Sequence, residues 1–520
     1  MRSRALQHFP RLQLAPTALG RSLPARVSYP ARAMSSTTQL RSLNYDNINS
    51  HVKAAKYAVR GELAVKAEAI RREIELDPSS HPFDHVIFAN IGNPQQLDQK
   101  PITFFRQVLS LIQYPDLLQE SNAEVVKQLY PEDALERAKW LLKSVKSVGA
   151  YSHSQGAPPL RDSVAKYIEQ RDGHPADPES IYLTTGASSG VNTLLHVIAA
   201  GPNTGVMIPI PQYPLYTATL ALLNAKPVEY FLEEHAQWST NCDDLYTVIE
   251  KARSDGTDVR CICVINPGNP TGASLPYNSI EDIIKFAAEK KLVIMADEVY
   301  QTNVFIGEFV SFKKVLRDLQ KKEPGKYDNV ELVSFHSTSK GMVGECGQRG
   351  GYFELVGFDP KVVQEIYKFV SISLCPPVGG QCLVELMVNP PKEGEPSFDL
   401  YKKEYDDIYN GLKTRAYALH KAFGEMEGVE SQDPQGAMYM FPTIKFPQGV
   451  VAAAEKLGKK PDEFYCMELL KATGVCVVPG SGFGQVDGTW HFRTTFLAPG
   501  TDWVGRIVEF HKNFLNTYRN

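Results

Sequence analysis

Between residues 181 and 335 the chain alternates five short apolar runs with stretches long enough to be helices: 181-IYL-183, 206-VMIPI-210, 261-CICVI-265, 292-LVIMA-296 and 332-LVSF-335. None of the runs alternates polar with apolar residues, so the strands they form are covered on both faces. Strands of that kind, joined by helix-length connections, make a mostly parallel sheet between helical layers. The fold class is α/β. Ligands of such sheets bind beyond the carboxyl ends of the strands, which makes the residues just after each run the candidates for chemistry. Those segments read TTGASSG, PQYPLY, NPGNPTG, DEVY and HSTSKG.

At 520 residues the chain is too long for one compact core. From about 46 to 130 the pattern is mostly helical, interrupted by 91-IGNPQQ-96. After about 395 it turns helical again, with short strands near 437-AMYMF-441, 475-VCVV-478 and 490-WHFR-493. The expected organisation is a large domain over 131–390 and a smaller α+β domain over 391–520, joined by an N-terminal segment over 46–130. Residues 1–40 differ in kind: they hold six arginines and no acidic residue, with no long apolar stretch. That composition predicts a mitochondrial presequence and a matrix location, with Met34 as a possible start for a shorter cytosolic product.

Net charge is only −4 and no basic block stands out, so nucleic acid is not an expected partner. No apolar run reaches the roughly 18 residues of a membrane span, so no membrane association is expected either. The eight cysteines form no CxxC pair and no zinc-like Cys/His spacing. Cys261 and Cys263 alternate along one run and are expected on one face of a strand as small buried residues. His153, His336 and His491 stand singly among unlike motifs, and no metal is assigned. The 480-GSGFG-484 run does not open a βαβ helix and is read as turn glycines.

A lysine among serines and glycines, as in 334-SFHSTSKGMVGECGQRGG-351, is ordinarily an exposed loop charge. The other strand ends give Lys340 a different use. In 184-TTGASSG-190, Gly186 permits a tight turn and a helix start leaves backbone N–H groups free for a phosphate, although no GK[ST] follows. Asp297 ends a buried strand, where a carboxylate needs a partner such as a protonated ring nitrogen. Tyr300 and Asn269 offer donors beside it, and Tyr213 a ring to stack on a planar ligand. Ser337, Ser339 and Arg349 add hydroxyls and a guanidinium suited to a phosphate dianion. A lysine amine, a phosphate cradle, an aspartate and a tyrosine together meet the requirements of pyridoxal 5'-phosphate.

The blocks 266-NPGNPTG-272, 297-DEVY-300 and 337-STSK-340 resemble the signatures of the class I (fold type I) aminotransferases, and the resemblance spans essentially residues 50 to 515. The strings 151-YSHSQG-156, 206-VMIPIPQYPLY-216 and 478-VPGSGFGQ-485 are similar to the alanine and glutamate–glyoxylate branch of that family, as is the nine-residue step from Lys340 to Arg349. The resemblance implies a large domain with a seven-stranded, mostly parallel sheet. It implies Lys340 as the covalent anchor of the cofactor and the acid/base that moves the substrate proton, with Asp297 on the ring nitrogen. Tyr300 and Asn269 would bond the ring oxygen, Tyr213 would stack, and Ala187, Ser188, Ser337, Ser339 and Arg349 would hold the phosphate. Tyr151 would reach the phosphate of a neighbouring subunit, making a homodimer with shared sites. Arg493 would grip the substrate α-carboxylate, with Gly92 and Asn269 closing on it. The implied reaction is ping-pong amino transfer among amino acids and 2-oxo acids, from L-alanine to 2-oxoglutarate. The alternatives are a glutamate–glyoxylate enzyme and, more remotely, a non-catalytic cofactor-binding regulator or a carbon–sulfur lyase.

Overall fold

The computed structural model describes residues 42–56 and 61–519; the arginine-rich segment 1–40 lies outside them. The short piece 42–48 is a turn, in which Asn44 Oδ1 accepts from the amides of Asp46 and Asn47 at 3.0 and 3.3 Å. The body of the chain, Asn49–Asn520, forms one compact unit. No helix among the described residues is long and apolar enough to cross a membrane.

We number the first strands β1 (Ile87–Phe88), β2 (Ile181–Thr184), β3 (Thr204–Ile210), β4 (Lys226–Glu233), β5 (Ser239–Thr240), β6 (Asp258–Ile265), β7 (Val293–Asp297), β8 (Leu332–Ser337) and β9 (Gly351–Val356). The central sheet has the order β2-β9-β8-β7-β6-β3-β4-β5. Strands β4, β3, β6, β7 and β8 run parallel to one another. β9 is antiparallel to both β2 and β8, and β5 is antiparallel to β4. The sheet therefore has eight strands rather than seven, the eighth being the two-residue β5 at the edge.

All seven residues of β3 are buried, as a strand in the middle of a two-sided sheet must be. β4, next to the edge, buries Val228 and Tyr230 and exposes Lys226, Pro227, Glu229 and Phe231. That period of two follows from its position near the end of the sheet, where cover is complete on one face only. Cys261 and Cys263 lie in the same buried cluster, on one face of β6.

The helices that cover the sheet follow local rules. In Phe312–Lys322, Ser311 caps the start by accepting from the Lys314 amide at 3.0 Å. Phe312, Val315, Leu316 and Leu319 recur at three- and four-residue steps and are buried in the cluster that also holds Leu332 of β8. Burying each of those side chains contributes on the order of 2 kcal/mol. Outside the main sheet, β1 pairs in parallel with Val475–Cys476, joining the N-terminal segment to a late part of the chain. A three-stranded sheet of Tyr439–Met440, Phe492–Thr495 and Val478–Pro479 carries Arg493 on its central strand.

Under the helix Phe312–Lys322 lies a buried polar layer. Lys313 Nζ meets Glu354 Oε1 at 2.5 Å, and Arg171 meets Asp172 at 2.7 Å. Glu298, fully buried, accepts from the Phe312 amide at 2.8 Å through one oxygen while Oε2 has no partner among the described residues. Three carboxylates thus share two cations, and an uncompensated buried charge is costly. Burial pushes the Glu298 carboxyl up to about 8, with the Arg171 charge opposing. The folded protein consequently holds a proton there that an unfolded chain releases near pH 4.5. That contribution to stability is complete at acid pH and is lost as pH rises towards about 8, with a slope of up to about 1.4 kcal/mol per pH unit. Glu298→Gln, which imitates the protonated acid, should flatten this slope. Thermal unfolding at pH 5 and pH 8 checks it: the variant should gain on the parent at pH 8 and not at pH 5.

Candidate active site

Four adjacent parallel strands deliver their carboxyl ends to one cavity of about 340 Å³. β3 leads to Tyr213, β6 to Asn269, β7 ends at Asp297, and β8 leads through Ser337 and Ser339 to Lys340. β2, at the far edge, leads to Gly186 and the helix Ala187–Ile198. Gly92, Ala187, Ser188, Tyr300, Arg349 and Arg493 line the same cavity. Every site residue expected from the sequence is there except Tyr151, which is 79% exposed and away from it.

The anion end of the cavity is built from backbone. Gly186 has φ of 77° and caps the helix Ala187–Ile198 with no side-chain hydrogen bond, so the first N–H groups of that helix stay available. A Cβ on Gly186 would come within 2.5 Å of Arg349 Nη2. Arg349 itself is left-handed, with φ of 57°, a conformation that costs a non-glycine residue about 1 kcal/mol or more. Its guanidinium is fixed by donation to Thr185 O at 3.0 Å, Cys346 O at 3.2 Å and Ser188 Oγ at 3.3 Å. A fork of N–H groups therefore faces the helix start.

Asp297 is buried at the centre. Its Oδ2 accepts from the Tyr216 hydroxyl at 2.9 Å, and its Oδ1 makes no hydrogen bond of normal geometry. Burial pushes this carboxyl up to about 6, while the Tyr216 hydroxyl, the Val299 amide and the Lys340 charge draw it partway down. A buried carboxylate with one oxygen unpartnered has room and reason for a cationic ligand atom. Across the cavity, Lys340 Nζ donates to Gly92 O at 2.7 Å. A Cβ at Gly92 would displace the Tyr439 hydroxyl and lie 2.9 Å from Lys340 Nζ, so glycine leaves room for both side chains.

Arg493 is only 2% exposed yet has no carboxylate partner among the described residues. It donates to Asn269 Oδ1 at 3.0 Å and Asn90 O at 2.5 Å, and its Nε is unpartnered. The rings of Tyr439 and Phe483 lie 4.3 and 4.6 Å from Cζ. A buried arginine without an anion among the described residues, opening on a cavity that holds a lysine amine, has a fork that a carboxylate would fit.

Three participants were not singled out from the sequence. Tyr216 sits in the apolar helix Leu215–Leu222 and reads as core; its hydroxyl shows its purpose only once β3 and β7 are placed. Phe483 stands among turn glycines, and those turns hold its ring beneath Arg493. Tyr439, in the AMYMF run, read as one more strand residue.

These residues fit pyridoxal phosphate: an uncapped helix start with an arginine fork for the phosphate, an unpartnered buried oxygen for the ring nitrogen, and an amine within the same cavity. The family described as "Aminotransferase class I and II" matches residues 113–504. The chain is 54% identical to "Alanine aminotransferase, mitochondrial" of Saccharomyces cerevisiae, over 92% of this chain and 81% of that protein. It is 50% identical to "Inactive alanine aminotransferase" of the same yeast, over 91% of this chain and 94% of the other. Its fold is similar to that of an alanine aminotransferase from Pyrococcus furiosus, with a TM-score of 0.69 at 24% identity, covering 90% of this chain and all of that one. The chain belongs to the class I and II aminotransferases. It is accordingly a pyridoxal-phosphate-dependent transaminase of the fold type I architecture.

Proposed function

We propose that this transaminase interconverts L-alanine plus 2-oxoglutarate with pyruvate plus L-glutamate. The likeness to the yeast mitochondrial alanine aminotransferase supports the substrate pair. The observation that carries the reading is the cavity shared by Lys340, the unpartnered Asp297 Oδ1 and the anion-free Arg493, a set that a non-catalytic binder has no need to keep.

Bound pyridoxal phosphate supplies the aldehyde that takes the amino group and a ring able to delocalise the electrons left when the α-proton departs. Asp297 Oδ1 would hold a proton on the ring nitrogen, and the Tyr300 and Asn269 side chains would bond the ring oxygen. Tyr213 would stack on the ring. Ala187 and Ser188 at the helix start, with Ser337, Ser339 and Arg349, would bind the phosphate. Arg493 fixes the substrate carboxylate with Asn269 and the Gly92 loop, so the α-hydrogen is presented to Lys340. The freed Nζ of Lys340 would take that α-proton and act as the acid that returns it across the amino nitrogen, a 1,3-shift. Run forward on one amino acid and backward on a second 2-oxo acid, the same groups complete a ping-pong cycle.

Arg493→Lys keeps the charge but loses the fork. It should lower kcat/KM for alanine by roughly 10² through lost charge-assisted hydrogen bonds, with most of the loss in KM. Steady-state kinetics with alanine varied at saturating 2-oxoglutarate reads this directly.

Glutamate–glyoxylate transfer is the competing specificity. Comparing pyruvate and glyoxylate as acceptors for glutamate decides: alanine formation should dominate, and a tenfold or greater preference for glyoxylate would overturn the substrate assignment. The exposed Tyr151 supports a homodimer in which each subunit completes its partner's phosphate site, testable by sedimentation and by cofactor retention in Tyr151→Phe. The arginine-rich 1–40 segment and the yeast relative's name support a mitochondrial location, and Met34 a second, cytosolic product; fractionation of cells expressing the full chain tests both.

A further inference from the structure

The nine-residue step from Lys340 to Arg349 leaves a loop between the amine and the guanidinium that faces the helix start. That loop packs on the Gly92 loop. Gln95 Nε2 donates to Gly344 O at 3.3 Å, and Gln99 Nε2 to Met342 O at 3.2 Å. A Cβ on Gly344, which is left-handed with φ of 59°, would lie 2.5 Å from Gln99 Nε2 and 3.2 Å from Pro94 Cβ. The next residue, Glu345, has a side chain only 3% exposed. Its two carboxylate oxygens accept from Arg106, one from Nε at 2.6 Å and the other from Nη2 at 2.9 Å. The same Nη2 also donates to Gln95 Oε1 at 2.9 Å.

A guanidinium only donates and a backbone carbonyl only accepts, so the Gln95 amide has one orientation that serves both Arg106 and Gly344. Arg106 stands on the helix Thr103–Gln113, which buries Phe104, Phe105 and Val108 and whose Thr103 amide donates to Glu404 at 2.8 Å. One side chain on a firmly packed helix thus grips two loops. Through Gln95 it holds the loop whose Gly92 O accepts from Lys340 Nζ at 2.7 Å. Through Glu345 it holds the turn in which the Glu345 amide donates to Thr338 O at 2.9 Å and Cys346 O accepts from Arg349 Nη1 at 3.2 Å. A lysine could not do both, because the bidentate hold on Glu345 needs a planar fork.

We infer that Arg106 is a positioning residue: it fixes the Gly92 loop over the substrate end of the cavity through Gln95, and aims Arg349 at the phosphate end through Glu345. The inference rests on the transaminase reading above. It predicts that the two ends can be loosened separately.

Gln95→Met cuts the first branch and leaves the ion pair intact. In the cofactor-loaded protein the KM for alanine should rise about fivefold to tenfold, with kcat within about threefold and pyridoxal phosphate retained as in the parent. Arg106→Met combined with Glu345→Gln cuts both branches without leaving a buried charge unpaired. It should raise KM by a similar factor and, in addition, weaken retention of pyridoxal phosphate several-fold on dialysis. Adding Gln95→Met to that pair should raise KM by less than about twofold more, since Gln95 acts through Arg106. An active parent whose KM is unchanged in Gln95→Met would overturn the inference alone, and Gln95→Met decides this even if the double variant fails to fold. A full further rise in KM in the double-variant background would overturn it as well. A parent that binds pyridoxal phosphate but transfers no amino group would overturn the transaminase reading and the inference with it.

Discussion

Lys340→Arg should lower the turnover of alanine with 2-oxoglutarate by about 10⁴ or more, at the upper end of what positioned acid–base groups contribute. The substitution keeps a cation opposite Gly92 O, where Lys340 Nζ now donates at 2.7 Å, so the local electrostatics and the packing against the Tyr300 ring are largely preserved. What it removes is a nitrogen with an accessible lone pair: a guanidinium stays protonated at any working pH and neither attacks an aldehyde nor takes a proton from carbon. The variant should still bind pyridoxal phosphate through Arg349 and the start of the helix Ala187–Ile198, as neither depends on the lysine. Near-ultraviolet circular dichroism should match the parent. Folded, cofactor-retaining and inactive is the expected combination, and turnover within about a hundredfold of the parent would remove Lys340 from its assigned role.

Asp297→Asn should act through a different quantity. A carboxylate in contact with a ring cation is worth about 4 kcal/mol at an effective dielectric constant of 20, or roughly 10³ in rate when that proton is what lets the ring take up charge. The amide accepts from the Tyr216 hydroxyl as the carboxylate does, so the geometry survives while the charge does not. Burial disfavours the charged form of this carboxyl, so the variant without cofactor should be at least as stable as the parent. Loss of stabilisation by added pyridoxal phosphate, measured as a smaller rise in Tm, should accompany the fall in kcat. A destabilised variant would instead mean that Asp297 serves the fold.

The parts of this site that the residues themselves made legible stand at strand ends of the main sheet; Arg493 and Gly92, which the family resemblance implied, do not. A parallel sheet buried on both faces shows itself as unbroken apolar runs, and its carboxyl ends are the places where polar residues accumulate for ligand chemistry. Asp297 directly after VIMA, and Lys340 three residues after β8, are of this kind. Tyr216 and Tyr439 were not legible, because an aromatic in an apolar helix or strand looks the same whether its hydroxyl is idle or bonded. Only the pairing of β3 with β6 and β6 with β7 brings residue 216 to residue 297.

Strands β4 and β9 lie outside the five apolar runs. β4 carries a period-two pattern in KPVEYFLE, interrupted by a proline and charges that are poor strand formers. β9, GYFELV, starts two residues after Arg349 and inserts antiparallel between β2 and β8. Nothing in its composition distinguishes that direction from the parallel one.

The central claim is that one amine, Lys340 Nζ, is the covalent anchor for pyridoxal phosphate. Borohydride reduction of the loaded protein, followed by peptide mapping, tests it most directly. The account predicts loss of the visible band and a stable pyridoxyl group on the peptide containing Lys340, absent when alanine is added before the reductant. An adduct on another lysine, or none on a protein that absorbs and turns over normally, would contradict it.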